Sequence, residues 1–148
     1  MISFSTANNI TGALIFSYGL LLLFVPTLFF DNYIYRKGVW QRFIWATHTE
    51  SSSVFVREHL VKGIALTWIS WSALYFCASY MTDRTETSKF GRRLWIFANV
   101  MLWAMWIFLD RWVRKTGIYS IQAVFLNAMF VIGIFAMWTT LTLSSDAY

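Results

Sequence analysis

Four stretches of this chain are apolar on every face for about as long as a bilayer is thick, and the polar positions gather between them. Residues 10–30 and 118–143 carry no charge, and residues 60–80 carry only Lys62, in the first turn of its stretch. Residues 90–109 contain a charge-free core from Leu94 to Leu109. As a helix that core rises only about 24 Å, so Arg92 and Arg93 must lie near one interface. A membrane helix needs roughly 20 apolar residues, and each stretch approaches or meets that length. Strands are excluded, because barrel strands alternate apolar and polar positions over about ten residues. Backbone groups in lipid must bond within their own segment, so continuous apolar runs form helices.

The pattern therefore predicts an all-α protein: an integral membrane four-helix bundle, up-and-down, forming one domain over residues 1–148. Pro26 ends or kinks the first span, because it lacks a backbone donor. The link 31–59 is long, and the other two are short. Within it, residues 37–46 place Trp40, Phe43 and Ile44 on one helical face. Aromatic and basic residues mixed in this way predict an interfacial amphipathic helix.

Composition strengthens this picture. Charged residues make up 13% of the chain, where a soluble domain carries about 25%. The net charge of +5 does not point to nucleic acid, since the basic residues sit in links at span ends and meet anionic headgroups there. Arg36, Lys37, Arg42, Arg111, Arg114 and Lys115, with Trp40, form the expected lipid-interface set. Eight Lys/Arg fall on the side of the long link against four on the side of the termini. The positive-inside rule then places the long link in the cytoplasm, stroma or matrix and both termini on the non-cytoplasmic side. A bacterial inner or organellar membrane is expected. Residues 1–9 contain no basic residue, against a secretory n-region or an Arg-rich presequence.

Candidate chemistry is sparse. In the third span Trp95, Asn99, Trp103, Trp106 and Asp110 fall within an arc of roughly 80° at about 100° per residue. An indole N–H or an amide in hydrocarbon needs a partner, and Asn127 of the fourth span is the first candidate for Asn99, with Ser70 or Ser72 as others. This face either packs against neighbouring helices or forms the wall for a flat hydrophobic ligand such as a pigment, quinone, sterol or lipid. Gly63, Ser70 and Cys77 recur every seven residues with Ala73 beside them. Gly12 and Gly19 do the same in the first span, and Gly133 offers a weaker patch in the fourth. Small residues at such spacing let helices approach closely.

Cys77 is the lone cysteine, which excludes an intramolecular disulfide. His59 is the candidate axial ligand for haem or chlorophyll, against the plainer reading of an interfacial polar side chain. Two histidines are too few for a di-metal membrane site, so no metal is expected. Asp110 reads as a span stop paired with Arg114. No ionisable residue lies deep in a span, which opposes an ion or proton pathway.

The stretches GLLLLFVPTLF (19–29) and REHLVKGIALTWISWSALYF (57–76) resemble small four-span proteins of the DoxX-like kind. In those a Gly-rich first span ends at a proline and a basic-flanked, Gly-bearing second span follows. The resemblance implies a four-helix bundle and carries over no functional residue. The expected role is a non-catalytic accessory subunit among other integral membrane subunits and lipids, requiring no cofactor. The alternative is a small membrane protein or enzyme with lipid or pigment on the Trp-rich face.

Overall fold

The structure, a computed structural model, describes residues 2–25, 50–114 and 121–144, with side chains left undescribed at 50–58, 60 and 112–124. The segment 37–46 and the residues Pro26, Arg36, Lys37, Trp40, Arg42 and Lys115 lie outside the described residues, as does the side chain of Arg114. The described chain holds four helices: α1 (Phe4–Phe24), α2 (Glu50–Ala78), α3 (Glu86–Arg114) and α4 (Ile121–Thr142). Each contains a segment long and apolar enough to cross a membrane.

Local chemistry sets the helix ends. The Ser3 hydroxyl accepts from the Thr6 amide at 3.1 Å and caps α1, satisfying one of the orphan donors of the first turn. Thr85 and Ser88 form a reciprocal box at the start of α3, with the Ser88 amide donating to Thr85 Oγ1 at 3.2 Å and the Thr85 amide donating to Ser88 Oγ at 3.1 Å. Glu86 then places a carboxylate in the first turn, where the helix dipole favours it. The first helix starts six residues before the apolar run that opens at residue 10, and its first turns bury Phe4, Ala7 and Asn8. Inside the helices, the Ser72, Thr139 and Thr140 hydroxyls donate to carbonyls three or four residues back. Such bonds let a hydroxyl sit in an apolar helix without an external partner.

α1 and α2 pack closely along their lengths, as do α3 and α4, and α1 also meets α4. The close approach of α1 and α2 depends on Gly12 and Gly19. A Cβ on Gly19 would stand 2.8 Å from Ile69 Cγ1 and 3.1 Å from the Ala65 carbonyl oxygen. One on Gly12 would meet the Phe76 ring at 3.1 Å and Tyr75 Cβ at 3.2 Å. The buried stripes step by three and four residues. On α1 they include Phe4, Ala7, Thr11, Ile15 and Leu22, on α2 Val61, Ala65, Trp68, Ser72 and Tyr75, and on α4 Val131, Ile134, Trp138 and Leu141.

On α3, Ile96, Asn99, Trp103 and Asp110 turn inward, and Phe97, Met101, Met105 and Phe108 turn outward. Across the α2–α3 seam the contacts are between aromatic side chains rather than closely packed backbones.

Candidate functional site

The interior divides into two levels. At the first, the start of α1 meets the ends of α2 and α4 and the start of α3. The Trp95 indole donates to Asn8 Oδ1 at 2.8 Å, and the Asn8 amide donates to its own helix at the Phe4 carbonyl, 2.9 Å away. The Trp138 indole donates to Thr11 Oγ1 at 3.0 Å. The Tyr75 hydroxyl donates to Asn99 Oδ1, while Asn99 Nδ2 donates to the Trp95 carbonyl at 2.9 Å. Tyr75 also sets its ring edge against Trp95 at 5.4 Å and lies 6.2 Å from the Trp138 ring.

Hydrogen bonds thus join α1 to α3, α1 to α4 and α2 to α3. Such bonds satisfy buried polar groups and tie the helices to one another. Beyond this level, the Arg92 guanidinium lies 4.5 Å from the centroid of the Phe4 ring and 3.4 Å from the Asp83 carboxylate.

Asn99 therefore bonds to Tyr75 and not to Asn127, Ser70 or Ser72, a correction to the expectation from the sequence. The reason is level: Asn99 sits beside the end of α2, whereas Asn127 sits beside the end of α1. Asn127 accepts instead from the Tyr18 hydroxyl.

At the second level the aromatic rings cluster. Trp68 lies 5.2 Å from Trp106, 6.4 Å from Trp103 and 5.7 Å from Tyr18. Tyr18 stacks on Phe130 at 5.1 Å and 28°. Pairs of this kind contribute about 0.5–1.5 kcal/mol beyond their area. Trp103 is fully buried, and its indole N–H completes no hydrogen bond among the described residues.

Next to this cluster all four helices enclose a cavity of about 350 Å³. Trp68, Trp71, Trp106, Tyr18 and Phe130 supply flat walls, and Asn127, Thr67 and Asp110 supply polar groups. Asp110 is 9% exposed. It is thus a buried lining residue as well as the last acidic group before the basic end of α3.

Of the Trp-rich face of α3, Trp95, Asn99 and Trp103 are taken up by contacts with other helices, and Trp106 and Asp110 line the cavity. Gly12 and Gly19 are buried between helices. Gly63, Ser70, Ala73 and Cys77 lie on an exposed side of α2, and nothing lies within 4 Å of a Cβ built on Gly63 or Gly133. Their seven-residue spacing therefore marks a face that no described helix of this chain covers. The opposite stripe, Val61–Ala65–Trp68–Ser72–Tyr75, carries the interior contacts.

His59 is exposed and is not among the lining residues of the cavity. Arg111 is exposed at the end of α3. Among the described residues no three His, Cys, Asp or Glu side chains come together as a metal site.

Sequence reasoning missed Asn8, Thr11, Tyr18, Trp68 and Tyr75. The available signal was chemical: a hydroxyl, indole or amide within an apolar run must find a partner. Comparison with protein-family models, with curated proteins and with solved structures gives no match.

Proposed function

We propose that the chain is an integral, multi-pass membrane protein, an up-and-down bundle of four spanning helices, acting as a non-catalytic accessory subunit of a larger membrane assembly. The observation that carries this reading is the outward small-residue face of α2, Gly63, Ser70, Ala73 and Cys77. A helix of another chain can approach such a face closely, as α2 approaches Gly12 and Gly19 of α1. The polar side chains of the first interior level support a structural role, because they bond to one another and hold helices together. Basic residues at the span ends support a long link on the cytoplasmic, stromal or matrix side.

Gentle solubilisation and native purification, followed by mass spectrometry, tests this reading. A membrane protein in stoichiometric amount is expected, and Ser70→Leu or Gly63→Leu should remove it without altering the thermal transition of the chain. Isolation as a lone monomer under the same conditions would sink the accessory role. A second reading, a membrane protein that binds a small hydrophobic molecule, is favoured by the cavity at the second level.

A further inference from the structure

Unlike the first interior level, the second leaves space beside polar groups. The cavity draws residues from all four helices, including Leu22 and Tyr18 of α1 and Val131 of α4. Its volume of about 350 Å³ is at the lower end of ligand pockets, which run roughly 300–1,000 Å³. That space suits one substituted ring with the first carbons of a tail. The three indoles, with Tyr18 and Phe130, present flat apolar surfaces, against which planar rings pack well.

Two further observations narrow the ligand. Asn127 uses its carboxamide oxygen to accept from Tyr18, and its amide nitrogen bonds to no described residue. A carboxamide nitrogen has two donor hydrogens, and a donor in an apolar cavity selects for an acceptor. No Lys, Arg or His is among the described lining residues, so a carboxylate or phosphate head would lose its hydration there with no cation to pair it. The means of access is also visible. Ile64 (49% exposed) and Leu109 (41% exposed) flank the α2–α3 seam, with exposed Thr67 beside them. Across that seam the helices meet through side chains. At membrane depth it opens on acyl chains rather than water.

We infer that the cavity binds a neutral, ring-bearing lipid with a carbonyl group. Its ring lies against Trp68, Trp71 and Trp106, its carbonyl accepts a hydrogen bond from Asn127 Nδ2, and its tail leaves through the seam into the bilayer. The inference rests on the membrane-spanning reading and is independent of any partner subunit.

The test uses the full chain in lipid nanodiscs and a decyl-substituted para-benzoquinone as probe, read by quenching of tryptophan fluorescence. The wild type should show saturable quenching. Asn127→Leu should weaken the apparent affinity about five- to tenfold, the loss expected for one hydrogen bond. Thr67→Phe, which fills the cavity from an exposed position, should abolish saturation. Both variants are scored only if they keep a single cooperative thermal transition, with Asn127→Leu lowered by no more than the loss of its Tyr18 bond, so a misfolded protein is not scored as a binding loss.

Linear quenching, equal in wild type and Thr67→Phe, would mean that the probe only dissolves in the bilayer and would overturn the inference. Unchanged affinity in Asn127→Leu, or displacement of the probe by palmitate, would overturn the assigned chemistry. Recovery of the chain in the detergent-free soluble fraction would instead remove the membrane reading, an outcome distinct from failed binding.

Discussion

The two levels of the interior are built from the same residue types and end differently. At the first, Asn8, Thr11, Tyr75, Trp95, Asn99 and Trp138 join helices through side-chain hydrogen bonds, and bulky rings fill the space between them. At the second, Trp68, Trp71, Trp106 and Phe130 pack around space that they do not fill, and Asn127 has one hydrogen-bond partner among the described residues. Asn99 and Asn127 show the difference most plainly. Each accepts from a tyrosine hydroxyl, but Asn99 is almost fully buried and also donates to a backbone carbonyl. Asn127 is half-buried beside a cavity. One end of the molecule is closed by its own side chains, and the other has room for a ligand.

This comparison can be broken by substitution. Gly19→Ile should have the largest effect, since the 2.8 Å approach to Ile69 and the 3.1 Å approach to a carbonyl leave no room for a Cβ. Overpacking of this kind costs about 1–3 kcal/mol or more, read as a lowered midpoint in thermal or SDS unfolding followed by tryptophan fluorescence. Gly133→Ile, where a Cβ has nothing within 4 Å, should leave that midpoint near the wild-type value.

Asn99→Leu comes next, because it leaves the buried Tyr75 hydroxyl without an acceptor, a loss of about 1–3 kcal/mol. Asn127→Leu should cost less, about 0.6 kcal/mol, the average for hydrogen bonds between membrane helices. If the two asparagine variants lost equal stability, the contrast between closed and open levels would be wrong. The smallest effect is expected at Lys89→Ala. The Lys89–Glu86 pair is 2.8 Å long but exposed, and surface pairs of this kind contribute about 0–1 kcal/mol.

Much of the architecture was legible in the pattern. Four apolar runs became four helices, and the inward face of α3, Asn99, Trp103 and Asp110, follows from helical spacing alone. Gly12 and Gly19 were legible as close-approach positions. The equivalent face of α2 was not. Gly63–Ser70–Cys77 and Val61–Trp68–Tyr75 both repeat every seven residues, so period cannot choose between them. In a soluble helix the polar face would point outward and settle the matter, but here both faces are apolar enough for lipid. The partner of Asn99 was equally hidden, because it depends on the levels at which helices meet.

By itself the sequence determined that this chain forms helices of membrane-crossing length, since apolar runs without alternation leave the backbone no other way to bond. It also determined that a few indoles, hydroxyls and amides within those runs would need partners. Tertiary structure alone decided which partners they found and which face of α2 turned outward. It also decided that the aromatic cluster would close one level and leave a cavity at the other. Those outcomes follow from relative helix height and the volumes that meet at each height, which no single helix encodes.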